Sequence, residues 1–308
     1  MASNDMRKRI GGVELDYRFY DGQDTYNEGD EVEEKVLSVL KEGRDPWQVL
    51  KEDERWPILY QLSERRKAIV EPMAIDKTCD VLEIGAGMGP VTAALASRCA
   101  HVDCVELSER RALANAWRNR ACDNICIYVG NFERIELEQQ YDVVTLIGVL
   151  EYAGSYLHGD GDPFAAMLRR ASSLLREYGR LYVAIENKLG MKYFAGCREE
   201  HLGRMFAGIC GYEDGGVRTF TRSELDRLLL ANGFGRTYFY YPYPDYKLPQ
   251  QIFSDDYPPT ALDMLTYGIS YDMPRQVLFR EEEALRSLAG TEEMKIFSNS
   301  FLVEAVKA

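Results

Sequence analysis

The sequence predicts an α/β fold: a doubly wound, mostly parallel sheet of seven strands with helices on both faces. Two observations support this prediction. From Cys79 onward, short apolar runs alternate with helical segments, which is the pattern of consecutive βαβ units. The first run, "DVLEI", leads into a turn with three glycines and then a helix, as in nucleotide-binding sheets.

The seven strands follow one another along the chain. Five are predicted to be parallel: "CDVLEI", "HVDCVEL", "ICIYVG", "YDVVTLIG" and "LYVAIE". A helix around 164–176 precedes the fifth strand, and "REYGR" is interpreted as the turn that ends it. The last two strands, "RTYFYYPY" and "SNSFLVEAV", have no predicted helix between them. We therefore expect them to pair antiparallel at the sheet edge, with an antiparallel last strand.

Two regions depart from the alternating pattern. Residues 1–75 are predicted to form an N-terminal helical cap, in which Asp30 caps a helix whose Val32, Val36 and Leu40 share a face. Residues 76–308 form the sheet domain. Two long insertions, 187–217 and 244–295, interrupt its end, and we interpret them as a lid over a substrate.

Composition and charge restrict the function classes. The 308 residues carry a formal net charge of −13, which disfavours nucleic-acid partners because the phosphate backbone repels an acidic chain. No signal sequence or long apolar segment is present, so we expect a cytoplasmic protein without membrane insertion. Seven cysteines without a CxxC pair and only three histidines predict neither disulfides nor a metal site.

The glycine turn indicates which ligand binds. Gly85, Ala86, Gly87 and Gly89 form a G-x-G-x-G sequence preceded by Glu83. The dinucleotide motif places its third glycine one position later, and no Lys-Ser/Thr pair follows as in a P-loop. The Glu83 carboxylate would oppose a phosphate but would suit an ammonium group. A dinucleotide-dependent oxidoreductase is therefore disfavoured, and NAD binding would test it.

Three further positions complete the ligand prediction. Glu106 and Leu107 end the second strand, 21 positions after Gly85, where a carboxylate can accept both hydroxyls of a ribose. Asn131 and Phe132 follow the third strand and can meet the edge and the face of an adenine. Together these residues predict an adenosine ligand with a cationic amino-acid tail.

These elements, with "LIGVLEYAG" after the fourth strand, resemble class I S-adenosylmethionine-dependent methyltransferases. The resemblance implies a Rossmann-like fold, S-adenosylmethionine as cofactor and S-adenosylhomocysteine as product. Under this resemblance, Gly148 lies beside the sulfonium. Arg66 binds the cofactor carboxylate, unless it forms a surface ion pair, and Tyr26 closes over the cofactor.

A narrower resemblance extends over nearly the whole chain. Segments such as "AIENKLGMKYFAGCREEHLG" and "YYPYPDYKLPQQIFSDDY" are similar to a bacterial subfamily associated with surface-polysaccharide biosynthesis and sometimes fused to glycosyltransferases. This implies O-methylation of a sugar or glycan precursor, with a glycosyltransferase domain as a partner. A natural-product or small-metabolite O- or N-methyltransferase and an inactive cofactor-binding module of a polysaccharide assembly complex stay open as alternatives.

Candidate catalytic residues lie after the fourth and fifth strands. A sugar hydroxyl has a high pKa, so a positioned general base would assist methyl transfer. His201 in the first insertion is the leading candidate, and Glu186 and Glu151 are the alternatives. A solvated loop histidine is the other interpretation of His201.

Candidate substrate contacts lie in both insertions. Asn187 follows the fifth strand, and Tyr243, Tyr246 and Lys247 follow the sixth. We expect the tyrosines to form an aromatic wall against a sugar ring, with Lys247 as a cation for a nearby phosphate. A structural proline-rich corner is the alternative.

Overall fold

The computed structural model describes residues 6–22, 29–157, 159, 161–212, 216–264 and 273–308. The strands are β1 (Arg7–Ile10), β2 (Val13–Asp16), β3 (Asp80–Ile84), β4 (His101–Glu106), β5 (Ile125–Val129), β6 (Tyr141–Ile147), β7 (Leu175–Glu186), β8 (Phe234–Tyr243), β9 (Gln251–Ser254) and β10 (Ser300–Lys307). The helices are α1 (Asp30–Glu42), α2 (Pro46–Glu52), α3 (Trp56–Leu62), α4 (Pro90–Ala96), α5 (Glu109–Arg118), α6 (Ala153–Tyr156), α7 (Pro163–Ser173), α8 (Met191–Phe194), α9 (Ala207–Cys210), α10 (Arg222–Leu230), α11 (Glu281–Leu288) and α12 (Glu292–Phe297). Two 3-10 helices span Glu64–Val70 and Leu150–Tyr152.

The strands form a mixed sheet in the order β1-β2-β5-β4-β3-β6-β7-β10-β8-β9. β3 pairs in parallel with β4 and β6, and β5 pairs in parallel with β4 and β2. The closing strand β10 pairs antiparallel with β8. The predicted α/β sheet with mostly parallel strands is confirmed. The predicted count of seven is not, because the described residues contain ten strands.

Among the described residues, the N-terminal segment is helical only from Asp30 onward. Before it, β1 and β2 form an antiparallel hairpin around Gly11, whose φ of 60° suits a glycine. Val13 and Leu15 of β2 are buried, and β2 pairs with β5. The prediction of a helical cap is therefore wrong for this hairpin, which extends the sheet. From Asp30, α1 packs Val32, Val36 and Leu40 into a buried cluster as expected.

Two further predictions need correction. The segment "REYGR" is the first part of β7 and not a turn, since α7 already ends at Ser173. The second insertion contains a strand and two helices, so the chain between β8 and β10 is not devoid of helix. β9 pairs with β8 and, among the described residues, is the last strand of the sheet on that side.

Contacts divide the chain into two compact units, and the division does not follow the predicted boundary at residue 75. Unit 1 comprises Met1–Leu146 and Leu174–Arg180, and unit 2 comprises Ile147–Ser173 and Leu181–Ala308. Among the described helices, none has the length and apolar character needed to cross a membrane.

Candidate functional site

In unit 1, the glycine turn links β3 to α4. Gly85, Gly87 and Gly89 have φ angles of 73°, 54° and 82°, a region that favours glycine. The N–H groups of Gly85 and Ala86 donate to the Val105 carbonyl at 2.9 and 3.1 Å. A Cβ on Gly87 would meet no atom within 4 Å, whereas one on Gly89 would lie 2.3 Å from Asn115 Oδ1. The turn therefore has free space beside Gly87 and none beside Gly89.

The buried Glu106 carboxylate lies against this turn, at the end of β4. Its Oε2 accepts a hydrogen bond from the Gly87 N–H at 2.6 Å, and its Oε1 accepts one from the Ser108 N–H at 3.0 Å. Each carboxylate oxygen has a second lone pair, so both can also accept from the hydroxyls of a ligand. The structure thus brings Gly87 and Glu106 together, with the half-buried Leu107 next in the chain.

Glu83, the acidic residue before the turn, is buried within unit 1. The Thr92 hydroxyl donates to its carboxylate, and Asn115 Nδ2 donates to Thr92 Oγ1 at 2.9 Å. Burial raises the pKa of Glu83 to about 7, although the Thr92 hydrogen bond and the charge of Arg66 lower it. Thr92 and Asn115 were missed in the sequence because they sit on helix faces among apolar neighbours.

Two arginines lie near this turn. The guanidinium of Arg66 stacks 3.8 Å from the centre of the Tyr60 ring and donates to the Tyr60 hydroxyl at 2.8 Å. Within the described part of the chain, no carboxylate pairs with Arg66, so a surface ion pair does not account for it. Arg118, which the sequence does not single out, donates to the Met88 carbonyl at 2.7 Å. Burial lowers the pKa of Arg118 to about 10.

The turn after β5 contains Asn131 and Phe132. The Asn131 side chain accepts a hydrogen bond from the Glu133 N–H at 2.9 Å, and Phe132 is buried. The chain following β2 lies against this turn, since a Cβ on Gly130 would be 2.6 Å from the Phe19 carbonyl oxygen. Tyr26, the predicted cover of the cofactor, lies outside the described residues.

In unit 2, the three catalytic candidates converge. Glu151 lies in the 3-10 helix after β6, Glu186 ends β7, and His201 lies in the first insertion. Ligand atoms of these three residues all lie within 4.8 Å of one another. Glu151 and Glu186 are at most 1% exposed, and in each the Oε2 atom has no hydrogen-bond partner among the described residues.

His201 is held in a fixed orientation by Glu199. Its Nδ1 lies 2.7 Å from Glu199 Oε1, and Glu199 Oε2 accepts from the N–H groups of His201 and Leu202 at 3.0 and 2.7 Å. The His201 side chain is 4% exposed, so it is not a solvated loop histidine. Burial lowers its pKa, but the Glu199 hydrogen bond and the charges of Glu186 and Glu151 raise the pKa further, to about 9.

Two lysines complete the network. Lys247 Nζ lies 2.6 Å from Glu186 Oε1 and also pairs with Glu200, and Lys192 Nζ lies 2.6 Å from both Glu200 Oε1 and Asp245 Oδ2. The carboxylates of the network are Glu151, Glu186, Glu199, Glu200 and Asp245, and its cationic groups are Lys192, Lys247 and His201. Five carboxylates therefore face three cations. Burial and the charge of Glu186 raise the pKa of Glu151 to about 8.

The four substrate candidates have different surroundings. Asn187 is fully buried, and its Nδ2 donates to the Ile296 and Ser298 carbonyls at 2.7 Å each, so its role is structural. Tyr243 packs in an apolar cluster with Met264, Leu285 and Met294, so the predicted aromatic wall is wrong for this residue. Its position is set by packing at the corner after β8.

Tyr246 and Lys247 belong to the network and do not form a free surface for a substrate. The Tyr246 hydroxyl donates to Glu186 Oε1 at 3.3 Å, and a Cβ on Gly148 would lie 2.9 Å from that hydroxyl. Lys247 is matched by two carboxylates, so the expected role as a cation for a phosphate does not fit. Gly148, with a φ of 69°, lets Tyr246 approach the backbone after β6.

One part of this chain is similar to a known protein family. Residues 82–181 match the model of a family described as a methyltransferase domain. This range contains the glycine turn, Glu106, the turn after β5, and Glu151. The match shows that this range is similar to methyltransferase domains. No curated protein matches the chain.

Several solved structures are similar to the chain at low identity. A possible histamine N-methyltransferase from Thermotoga maritima, described as SAM-dependent, is 17% identical, with 86% of this chain and 100% of that chain covered and a TM-score of 0.47. The N-methyltransferase NodS from Bradyrhizobium japonicum WM9, in complex with S-adenosyl-L-homocysteine, is 12% identical, with 90% and 99% covered and a TM-score of 0.45. The CcbJ methyltransferase from Streptomyces caelestis is 18% identical, with 80% and 90% covered and a TM-score of 0.47.

Proposed function

We propose that this protein is an S-adenosylmethionine-dependent methyltransferase that methylates a hydroxyl oxygen of a sugar or glycan precursor. The methyltransferase-domain match over residues 82–181 is the premise. The observation that carries the cofactor assignment is the position of Glu106, whose two oxygens accept the N–H groups of Gly87 and Ser108 beside the open part of the glycine turn.

The residues of unit 1 fit an adenosine ligand without phosphates. Glu106 retains lone pairs for two ribose hydroxyls, and the space beside Gly87 admits the nucleoside. Asn131 and Phe132 recognise the adenine, and Arg66 binds the carboxylate of the amino-acid tail. The Glu106 carboxylate disfavours a phosphate at this turn, because like charges repel in a buried site.

The residues of unit 2 supply the acceptor site. Unpartnered carboxylate oxygens on Glu151 and Glu186 accept hydrogen bonds from sugar hydroxyls. In the reaction, a new C–O bond forms at the acceptor oxygen while the methyl–sulfur bond breaks, and its electron pair remains on sulfur. The hydroxyl proton passes to a basic group of the acceptor site. Because sulfur leaves as a neutral thioether, alignment contributes most of the rate enhancement.

An amine acceptor is the second candidate, and the charge of unit 2 favours it. The network has two more carboxylates than cations, so an ammonium group on the acceptor would find a partner there. A place in surface-polysaccharide assembly, beside a glycosyltransferase, rests on the resemblance of the sequence segments quoted above.

Calorimetric titration with S-adenosylhomocysteine tests the cofactor. We expect the parent protein to bind it and not to bind NAD. Glu106→Gln keeps the shape but removes the charge that strengthens the hydrogen bonds to ribose, so affinity should fall roughly 10- to 100-fold. Glu138→Gln, a change of an exposed carboxylate, is the matched control and should bind as the parent does. Equal affinity of the Glu106 variant and the parent would remove Glu106 from the cofactor site.

Methyl transfer assays then identify the acceptor class. Sugar nucleotides, free monosaccharides and amines are supplied with labelled S-adenosylmethionine, and transfer to an oxygen is the expected result. His201→Ala should lower turnover while S-adenosylhomocysteine binds with nearly parental affinity. Transfer to amines alone would favour the second candidate, and binding without any transfer would favour an inactive cofactor-binding module.

A further inference from the structure

The side chains of Glu151, Glu186 and His201 form a cluster of three donor groups, here called the Glu-Glu-His cluster. We propose that this cluster binds a divalent metal ion. The sequence predicts no metal, because it has no CxxC pair and only three histidines. Folding brings their ligand atoms to within 4.8 Å of one another.

The donor spacing is close to that of a metal site. Ligand atoms at about 2.1 Å from one ion lie roughly 3 to 4 Å apart, depending on the angle between them. The observed separations reach up to 4.8 Å, so the three side chains would have to move closer together to coordinate one ion. Two carboxylates and one imidazole are also a donor set that suits ions such as Mn²⁺, Fe²⁺ and Zn²⁺.

Two carboxylate oxygens of the cluster residues lack a hydrogen-bond partner among the described residues. Glu151 Oε2 and Glu186 Oε2 are buried and accept no hydrogen bond among the described residues. A buried carboxylate oxygen without a partner is costly, so such atoms indicate a missing ligand. Lys247 pairs with the other oxygen of Glu186, Oε1, and therefore leaves Oε2 available.

Glu199 prepares His201 as a ligand. Its carboxylate binds Nδ1 of the ring at 2.7 Å and is itself held by two backbone N–H groups and by the Tyr212 hydroxyl at 3.2 Å. Metal-binding histidines commonly have this arrangement, in which a carboxylate holds one ring nitrogen and the other nitrogen binds the ion. In His201 that other atom is Nε2.

The charge of the surroundings agrees with a divalent ion. A metal ligand must be deprotonated, so His201 is neutral and Glu151 is ionised when an ion is bound. Five carboxylates and two lysines then leave an excess of three negative charges in a buried network. An ion of charge +2 offsets most of this excess. Resting on the proposed function, the ion would bind an acceptor hydroxyl and act on it as a Lewis acid.

Titration of the chelator-treated protein with MnCl₂, followed by the EPR signal of free Mn²⁺, tests the site. We expect one Mn²⁺ to bind to the parent protein. Glu151→Gln, Glu186→Gln and His201→Asn should each weaken binding at least tenfold, and Glu199→Gln roughly 10- to 100-fold through its effect on the imidazole. His101→Asn and Glu138→Gln are controls that should bind as the parent does.

A spectroscopic readout on the parent does not depend on how stable the variants are. Pulsed EPR of the bound Mn²⁺ should detect coupling to an imidazole nitrogen, and the His101→Asn control should retain this coupling. Absence of Mn²⁺ binding, absence of the nitrogen coupling, or parental binding by all three ligand variants would overturn the proposal. Binding of amines in place of Mn²⁺, weakened by the two Glu→Gln changes, would also overturn it and identify an ammonium site.

Separate titration with S-adenosylhomocysteine distinguishes this proposal from the proposed function. The proposed S-adenosylhomocysteine site is formed by residues of unit 1. The three variants of the Glu-Glu-His cluster should therefore bind S-adenosylhomocysteine with parental affinity, and this binding also verifies that the variants fold. Mn²⁺ binding without S-adenosylhomocysteine binding would leave the metal site intact and refute the cofactor assignment.

Discussion

Gly87 and Gly89 stand two positions apart in one turn and are subject to different constraints. Both have positive φ angles, which a residue with a side chain adopts at a cost of about 1–2 kcal/mol. The two glycines differ in the space around them, because a Cβ on Gly87 would meet nothing within 4 Å, whereas a Cβ on Gly89 would lie 2.3 Å from Asn115 Oδ1. Gly89 therefore serves packing, and Gly87 leaves room for a ligand.

Alanine substitutions should separate these two roles. Gly89→Ala should lower the free energy of unfolding by about 2–4 kcal/mol, because backbone strain and overpacking add. Gly87→Ala should cost only about 1–2 kcal/mol but should weaken S-adenosylhomocysteine binding at least tenfold. Urea unfolding and calorimetry measure the two quantities. The reverse ranking, with Gly87→Ala the less stable variant, would contradict this assignment.

The cofactor residues could be named from the sequence because their spacing is local to strands and turns. Gly85, Gly87 and Glu106 each follow a buried apolar run that marks a strand end. The buried ion pairs of Lys192 with Glu200 and Asp245 could not be named in this way. All three are charged residues in polar insertions, where nothing in the sequence distinguishes a buried ion pair from a solvated one.

At the scale of elements, the hairpin of β1 and β2 is the main feature that the sequence did not predict. Its strands have four residues each and contain few apolar positions. Its place in the sheet depends on pairing with β5, more than a hundred residues later. The strands that were predicted are longer apolar runs followed by helices, so their signal is local.

Close backbone contact holds this hairpin against the chain before β5. The Gly12 N–H donates to the Arg120 carbonyl at 2.9 Å, and a Cβ on Gly12 would lie 2.2 Å from the Cys122 carbonyl oxygen. Gly12→Ala should therefore displace the hairpin and lower the free energy of unfolding by about 1–3 kcal/mol. Urea unfolding measures the change. Gly159→Ala, where a Cβ meets no atom within 4 Å, is the control, and equal stability of the two variants would contradict the prediction.

At the scale of the whole molecule, the chain forms two compact units whose limits could not be predicted. Unit 1 includes residues 174–180, which contain the first part of β7. In the sequence these residues come after the first segment of unit 2. A boundary read along the sequence, such as the one predicted at residue 75, assumes that each unit is continuous. Contacts between segments that are distant in the sequence determine the division into units. The amino-acid composition along the chain does not reveal these contacts.

Glu83 should make the stability of the folded chain depend on pH. Burial raises the pKa of this carboxyl to about 7, while the Thr92 hydrogen bond and Arg66 lower it. The folded protein thus retains a proton that the unfolded chain releases above about pH 4.3. As the pH rises from there through 7, the contribution of Glu83 to the free energy of unfolding falls, by about 3 kcal/mol in total.

Glu83→Gln removes this titration and isolates its effect. Because glutamine stays neutral, the stability of the variant relative to the parent should increase from about pH 5 to about pH 8. Urea unfolding of both proteins at several pH values measures the difference. A difference that stays constant over this range would show that the Glu83 pKa is the same in the folded and unfolded states.

Among the described residues, β1 is the edge strand of the sheet next to β2. Its charge affects how the protein behaves at high concentration. β1 carries Arg7, Lys8 and Arg9 in succession, and all three are exposed. An unpaired strand edge is a template for aggregation, and consecutive charges on it oppose the docking of a second chain. Two copies meeting at this border would bring two rows of charged side chains together and would disturb their ion pairs with Glu14, Asp16 and Glu109. The hairpin thus ends the sheet with a border that resists intermolecular growth.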